Sequence, residues 1–202
     1  LEYATVVELE EYLLGASKTQ PAQAGNFAIA LSAASRNIDK HCGRRFWIDD
    51  AATERIFTVE NGYSFPVPDI ATTTGLVVAT DEDRDGVYET AWTLGARTGA
   101  GYEVAPYNAQ TDPELKEPYT SLEANASVFP TYRMAISVTA KWGWPAVPDD
   151  IKQATLLHAA RFWKRKDAVL GLGGNAELGF FEMRRKIDPD VAKMIDVYRN
   201  FA

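Results

Sequence analysis

The stretch DEDRDG, residues 81–86, has the residue types and the spacing of a cation-binding loop. Three aspartates alternate and a glycine follows, which matches the opening of the calcium-loop pattern D-x-[DN]-x-[DN]-G. Glu89 adds a fourth carboxylate shortly afterwards. Because calcium prefers oxygen ligands of this kind, the weak candidates for a metal site are Asp81, Asp83, Asp85 and Glu89.

The rest of this stretch does not fit an EF-hand. Counting Asp81 as position 1, the bidentate glutamate belongs at position 12, where this chain has Trp92. The segments GLVVAT before it and VYETAWTL after it alternate like strands, whereas an EF-hand lies between helices. We therefore expect a hairpin tip in which Gly86 has a positive φ and the carboxylates face water, with no bound metal. A calcium turn of another type stays open as the alternative.

The remaining reactive residues do not form a catalytic pattern. The two histidines, His41 and His158, both fall in predicted helices. His41 and Cys42 are neighbours on a helix and point about 100° apart, so such a pair rarely shares a metal. The sequence GLGG at 171–174 lacks the GK[ST] of a phosphate-binding loop, and it follows a helix rather than a strand. We expect neither catalysis nor a cofactor.

Two basic clusters, KRK at 164–166 and RRK at 184–186, bracket the segment GLGGNAELGFF at 171–181. They are either solvated charge at helix ends or contacts to an acidic partner surface, which another copy of this acidic chain would supply. Phe180 and Phe181 are either interface anchors or residues that fold back onto the helices. The interface candidates are Trp163, Lys164, Arg165, Lys166, Phe180, Phe181, Arg184 and Arg185.

Two helices are predicted before residue 45. Thr5 and Glu8 form a capping-box pattern at the start of the first, and Gly15 ends it. Pro21 suits the first turn of the second helix, which Gly43 ends. The apolar residues of the second helix recur every three or four positions, which predicts one buried face. This face comprises Phe27, Leu31, Ala34, Ile38 and Cys42.

The middle of the chain, roughly residues 45–144, alternates in twos and therefore predicts strands. The predicted strands are 55–59, 75–80, 87–94 and 133–142. One face of the third carries Tyr88, Trp92 and Leu94, and one face of the fourth carries Met134, Ile136, Val138, Ala140 and Trp142. The polar stretch 107–130, with Pro113 and Pro118, predicts a long loop at the rim of the sheet.

Two further helices are predicted after residue 147. Pro148 and the two aspartates after it suit a helix N-terminus, and the basic cluster at 164–166 suits its C-terminus. Asp188 as cap and Pro189 at the first helical position mark the last helix. The apolar face of the earlier helix comprises Ile151, Ala154, Leu157 or His158, and Phe162.

This order of elements predicts an α+β fold. A small helical bundle is built from the N- and C-terminal parts, about 4–44 and 147–202, and an antiparallel β-rich region is inserted at about 45–146. We expect one domain over 1–202, because no linker looks long enough to separate independent domains.

The composition is that of a globular protein with an acidic surface. Of 202 residues, 28 are acidic and 21 are basic, which gives a net charge of −7. Such a surface repels phosphate, which argues against tight nucleic-acid binding but suits a passage through which DNA slides. The single cysteine, Cys42, excludes an internal disulfide and favours intracellular synthesis. No apolar run approaches the length of a membrane span.

Three segments carry a resemblance to a known family. They are AIALSAASRNIDKHCGRRFW at 28–47, VTAKWGWPAVPDDIKQATLLHAARFWKRKDA at 138–168 and IDPDVAKMIDVYR at 187–199. These segments resemble the head–tail connector family of long-tailed phages, which comprises adaptor or head-completion proteins. DEDRDGVYETAWTL and GNAELG are also similar to segments of that family. The β-rich insertion is longer here than in the smaller members.

The resemblance implies a structural protein of the virion rather than an enzyme. Members form a ring, usually of twelve copies, beneath the portal protein at the capsid vertex. The ring extends the DNA channel, through which DNA passes without specific binding, and it offers a docking surface to the tail or the next connector protein. The implied location is the virion neck, after synthesis in the host cytoplasm and without a membrane.

A calcium-dependent β-rich module that binds a carbohydrate or protein ligand is the alternative function. It rests on the acidic residues between 81 and 89. A ring on the portal favours the connector, whereas a monomer that binds a glycan in the presence of calcium favours the alternative.

Overall fold

The computed structural model describes residues 1–15, 20–112, 116–165, 172–175, 179–182 and 187–200, with the backbone alone described at 165, 172–175 and 179–182. The chain forms two compact units. We call Leu1–Phe46 with Val147–Ala202 the helical unit and Trp47–Ala146 the sheet unit. The protein is therefore of the α+β class. Within the described residues, no helix has both the length and the apolar character needed to cross a membrane.

Helix α1 (Val6–Leu14) begins and ends as its sequence predicts. The Thr5 hydroxyl accepts the N–H of Glu8 at 3.2 Å, and the Glu8 carboxylate accepts the N–H of Thr5 at 2.8 Å. These two bonds form a capping box, which satisfies two N–H groups that the helix leaves unpaired. Gly15 ends the helix with a φ of 83°.

Helix α2 (Ala24–Cys42) supplies the central apolar face of the helical unit. It follows a 3-10 turn at Pro21–Gln23 and ends at Gly43, whose φ of 67° is left-handed. Because its apolar residues are three and four positions apart, they lie on one side, where α2 packs against α1 and α3. The predicted face is confirmed, since all of its members are buried: Phe27, Leu31, Ala34, Ile38 and Cys42.

Helix α3 (Asp149–Arg165) packs against α1 and α2. Lys152 forms an ion pair with Glu8, which joins α3 to the first turn of α1. Leu157 is only half-buried and His158 is buried, so the histidine continues the apolar face of the helix. The fully buried members of that face are Ile151, Ala154 and Ala159.

Helix α4 (Pro189–Ile195) is joined to α3 through the buried Asp188. This residue caps the helix, because its carboxylate accepts the N–H of Asp190 at 2.6 Å. The same carboxylate forms an ion pair with Arg161 of α3. The predicted start of the last helix is confirmed, and the Arg161 pair explains how a short helix is held in place.

Among the described residues, the sheet unit has six strands in the order β1-β6-β2-β3-β4-β5. β5 also pairs with β2, so β2, β3, β4 and β5 form a closed circuit from which β6 and β1 extend. β3 and β4 are parallel and the other pairs are antiparallel. The strands are β1 (Thr53–Phe57), β2 (Ser64–Thr80), β3 (Thr90–Leu94), β4 (Gly101–Ala105), β5 (Tyr119–Ala124) and β6 (Ile136–Trp142).

Strand β2 is long enough to pair with three other strands. Its first part pairs with β5 and its last residues pair with β3, while β6 pairs along its second half. The register shifts between Pro66 and Ile70 and again between Thr72 and Val77. Such irregularities bend a strand and increase its twist, which allows β2 to close the circuit with β5.

Trp92 of β3 lies in the core of the sheet unit. It is 6% exposed and pairs across the sheet with the buried Val78. Its ring stacks on Phe129 at 4.1 Å, and its indole N–H donates to the Thr80 hydroxyl at 2.9 Å. The residue that breaks the EF-hand pattern is therefore a core residue of the hairpin that contains the acidic stretch.

The predicted loop at 107–130 is wrong, because this stretch contains β5. Leu122 is the one member of β5 that is fully buried, and the others are partly exposed. A half-exposed strand shows little alternation of apolar and polar residues, so the sequence of β5 looks like that of a polar loop. The five-residue β4 was not predicted either. The predicted strand at 55–59 overlaps the last three residues of β1, and the one at 75–80 is the last part of β2.

Two predicted strand faces also need correction. Leu94 belongs to β3 but is 39% exposed, and Tyr88 precedes the strand. Met134 lies before β6 with a positive φ of 59° and a side chain that is 49% exposed. The other predicted members of the β6 face are buried as expected: Ile136, Val138, Ala140 and Trp142.

A second, two-stranded sheet lies in the helical unit between α3 and α4. β7 (Leu172–Asn175) pairs with β8 (Gly179–Glu182) in antiparallel register. Among the described residues, neither strand pairs with any strand of the six-stranded sheet.

Gly143 occupies a position that excludes a side chain. Its φ is 109°, and an added Cβ would overlap the carbonyl oxygen of Trp47. At Gly95, with a φ of 78°, an added Cβ meets nothing within 4 Å. We expect Gly95→Ala to cost about 1–2 kcal/mol from backbone strain alone, and Gly143→Ala to cost at least about 2 kcal/mol more because backbone must move. Urea unfolding followed by tryptophan fluorescence measures both, and equal losses would contradict the clash.

Candidate functional site

The acidic stretch forms the tip of the hairpin between β2 and β3. β2 ends at Thr80 and β3 begins at Thr90, and the two strands are antiparallel. Gly86 has a φ of 87°, which confirms the predicted positive φ at this position. Arg84 also has a positive φ, at 72°, and its guanidinium carbon lies 4.6 Å from the centre of the Tyr132 ring. The sequence prediction of a hairpin tip is therefore confirmed.

The buried carboxylate of Asp81 stabilises the turn by accepting backbone hydrogen bonds. One carboxylate oxygen accepts the N–H of Arg84 at 2.6 Å, and the other accepts the N–H of Gly86 at 2.9 Å. The hydroxyl of Tyr132 donates to the Asp81 carbonyl oxygen and lies 3.2 Å from its carboxylate. Asp81 is only 4% exposed, so the prediction that all the carboxylates of the tip face water is wrong for this one. A buried carboxylate needs such donors, and the turn supplies them.

The hydrogen bonds of Asp81 also set its acidity. Burial raises the pKa of the carboxyl group, but the N–H groups of Gly86 and Arg84 and the hydroxyl of Tyr132 favour the charged form. The balance lowers the pKa of Asp81 below its ordinary value. The group therefore stabilises the turn as a carboxylate.

The four candidate metal ligands converge at this tip. One oxygen from each lies within 4.8 Å of the others: Asp81, Asp83, Asp85 and Glu89. Oxygen ligands in such a group suit calcium. Each carboxylate also accepts an N–H of the turn, which Asp85, Val87 and Glu82 donate to the three exposed ones. The convergence therefore follows from closing the hairpin, and the expectation of no bound metal stays a prediction.

The histidines and the cysteine are engaged in structural contacts. The His41 ring lies 2.7 Å from the Asp196 carboxylate, while the buried Cys42 thiol lies 3.7 Å from the Ile195 carbonyl oxygen. Burial raises the pKa of Cys42 to about 11, so the thiol stays protonated. The ring of the buried His158 packs 4.4 Å from Phe162. These contacts do not bring His41 and Cys42 together around one metal.

The interface candidates begin at the end of α3. Trp163 is half-buried, and its ring packs 4.4 Å from Phe27 of α2, so part of this side chain belongs to the core of the helical unit. Lys164 is exposed on the last turn. The side chains of the other candidates lie outside the described part of the chain: Arg165, Lys166, Phe180, Phe181, Arg184 and Arg185.

Charge divides unevenly between the two units. The sheet unit has 15 acidic and 6 basic residues, a net charge of −9, whereas the helical unit has 13 acidic and 15 basic residues, a net charge of +2. The net charge of −7 for the whole sequence does not reveal this division, because the helical unit consists of two separate stretches of chain. Two copies of the chain can therefore present surfaces of opposite sign to each other.

The lowered pKa of Asp81 predicts a pH-dependent stability of the sheet unit. Its stabilising effect is fully present above the unfolded pKa, about 4, and is lost as the pH falls through the lower folded pKa. We expect Asp81→Asn to lower the urea midpoint at neutral pH, and its difference from wild type to shrink in acid. Asp83→Asn, at an exposed position of the same tip, is the control. A difference that stays constant into acid would contradict the role of the charge.

Sequence comparisons and structural comparisons give different results. A scan against protein-family models finds no match, and a search of curated proteins also finds none. Solved structures do match. A chain of "Neck of empty GTA particle computed with C6 symmetry" aligns with a TM-score of 0.57 and 18% identity, over 98% of this chain and 89% of that chain.

A chain of "Neck of native GTA particle computed with C12 symmetry" aligns with a TM-score of 0.49 and 19% identity, over 98% of this chain and 88% of that chain. This second similarity is too weak to carry an argument. The first extends over both units, so this chain shares its α+β fold with a protein chain from the neck of a GTA particle.

Proposed function

We propose that this protein is a structural component of the neck of a phage-like particle. In this proposal it is a head–tail connector whose copies form a ring under the portal, extend the DNA channel and offer a docking surface to the tail or the next connector protein. The observation that carries the proposal is the similarity in fold to a neck chain, because the alignment includes the sheet unit as well as the helices and covers 98% of this chain.

A closed ring of identical subunits needs two different contact surfaces on each copy. The charge division supplies a basis for them, since a sheet unit of net charge −9 attracts the basic segments of a helical unit of net charge +2 in the next copy. A ring of twelve copies is compatible with the six-fold symmetry used for the similar neck structure.

We assign the subunit and portal contacts to the end of α3 and the segment after it. Lys164 is exposed there, and the neighbouring Trp163 is half-buried against Phe27. The proposed contact residues in the following segment are Arg165, Lys166, Phe180, Phe181, Arg184 and Arg185. The helices of this unit act as the bundle that carries these residues.

DNA passage places a separate demand on the protein. A ring in which each copy carries a net charge of −7 repels the phosphates of DNA. Because non-specific DNA binding comes mostly from contacts between cations and phosphates, an acidic ring lets DNA pass without holding it. No catalytic step is needed for this function.

A calcium-dependent ligand-binding module is the second candidate function. The convergence of four carboxylate oxygens within 4.8 Å at the tip of the β2–β3 hairpin favours it.

Negative-stain imaging of the purified protein, with and without its portal protein, tests the proposal. We expect closed rings with a central hole, either alone or only on the portal, because many weak contacts become strong when they act together. A protein that stays monomeric with portal present contradicts the connector function.

Removing two exposed carboxylates separates the two candidate functions. We expect Asp83→Asn combined with Asp85→Asn to leave assembly on the portal unchanged, with or without calcium, because the hairpin tip is not part of the proposed contacts. Imaging of the variant beside wild type measures assembly, and calorimetry measures calcium binding. Calcium-dependent assembly of the wild type that the double variant loses would favour the second candidate.

A further inference from the structure

A groove on the surface of the sheet unit brings together the two ends of β2. Tyr63 comes directly before this strand and Glu82 lies two residues after it, yet both line the groove. The third part of the lining comes from the chain that follows β5, at residues 128–131. The groove has a volume of about 460 Å³, which is within the range of pockets that take a ligand.

The walls of the groove are held by backbone contacts and by the core beneath them. The Gly62 carbonyl oxygen accepts the N–H of Phe129 at 2.8 Å, and an added Cβ at Gly62 would lie 2.6 Å from the Phe129 carbonyl oxygen. The Phe129 side chain is buried, where its ring stacks on Trp92 at 4.1 Å and meets Phe65 edge-on at 5.1 Å. A partner therefore meets a groove whose shape is already set, which lowers the cost of binding.

Three apolar side chains of the groove are in contact with water. Tyr63 is 71% exposed, Val128 is 51% exposed and Pro130 is partly exposed. Covering such side chains is favourable, because apolar surface is removed from water. Tyrosine is enriched at protein interfaces, since its ring buries a large area while its hydroxyl can still reach a polar partner. The groove therefore suits an apolar side chain of a partner.

The same groove is acidic. Glu82 lines it, and the hairpin tip that follows carries three further exposed carboxylates. The segments that supply the groove and the tip, 60–63, 80–90 and 126–134, contain six acidic residues and two arginines. Because this excess of negative charge lies beside an apolar surface, it favours a partner with basic residues next to an apolar one.

We propose that this groove binds an extended segment of a partner protein in which lysine or arginine lies beside an aromatic or large aliphatic residue. The apolar residue packs against Tyr63 and Val128, and the basic residues pair with Glu82 and the carboxylates of the tip. This inference rests on the proposed function, which includes a docking surface for a further neck protein, and it gives the chemistry of that neighbour. Since the proposed portal contacts lie in the helical unit, the groove takes a different partner.

NMR titration of the full chain with synthetic peptides tests the binding. The peptide GSKFKSG supplies one phenylalanine between two lysines, whereas GSEFESG reverses the charge and GSKSKSG removes the aromatic ring. We expect GSKFKSG to shift the backbone amide signals of Gly62, Tyr63 and Thr131 with a dissociation constant on the order of 1 mM or below. The other two peptides should bind at least about fivefold more weakly, because each lacks one of the two contacts.

Two variants remove the two contacts from the side of the groove. Val128→Ser removes apolar surface, and Glu82→Gln removes a charge but keeps an acceptor for the Thr80 hydroxyl, which lies 3.0 Å from the carboxylate. Val77→Ser is the matched control for the first, because Val77 is 53% exposed elsewhere on the sheet, and Glu117→Gln is the control for the second at another exposed position. We expect each groove variant to bind GSKFKSG about three- to fivefold more weakly and both controls to bind it like wild type.

Three results would overturn the inference. They are groove signals that GSKFKSG does not shift, equal binding of GSEFESG, and binding that neither groove variant changes. Groove signals that shift with protein concentration before any peptide is added would place a second copy in the groove, which also contradicts the proposed partner.

Failure of the proposed function is seen separately, by imaging wild type with its portal. A wild type that binds GSKFKSG in the groove but forms no rings would refute the connector and leave the groove as a binding site for basic, apolar segments. Rings on the portal from a protein whose groove ignores the peptide would refute the groove contact and leave the connector intact.

Discussion

The pairing of β2 with three neighbours is the interaction on which the sheet unit depends. A strand of this length, Ser64–Thr80, reaches β5 with its first half and β3 with its last residues, and its register shifts bend it between them. Closing the circuit in this way satisfies the edges of β2, β3, β4 and β5. β6 and β1 extend the sheet from this circuit, and the Asp81 turn lies directly after β2. The position of the acidic turn therefore follows from the strand that closes the circuit.

The helices could be predicted from sequence because their signals are local. A capping box at Thr5 and Glu8, a terminating Gly43 and a cap at Asp188 each lie within a few residues of the helix end that they determine. The buried face of α2 follows from spacing alone. The strands that were missed depend on distant partners instead: β5 is half-exposed and is held by β2 and β4, which its own residues do not reveal.

The acidic turn could also be predicted only in part, because some of its contacts come from residues far away in the sequence. The alternation of Asp81, Asp83 and Asp85, and the nonconforming Trp92, correctly indicated a hairpin tip. The burial of Asp81 was not predictable, because it depends on Tyr132, which is 51 residues away in the chain. Trp163 was predicted as an interface residue from its position beside a basic cluster, and its packing on Phe27 required the fold of α2 against α3.

The sheet unit has a net charge of −9 and the helical unit a net charge of +2, and the proposed ring uses this difference to hold neighbouring copies together. In the proposed function, the protein lies at the neck of a phage-like particle. Gold-labelled antibody against the chain, imaged on intact particles, tests this claim most directly. We expect label at the junction between capsid and tail on each particle; label spread over the capsid surface or at the distal tip of the tail would contradict the proposed location.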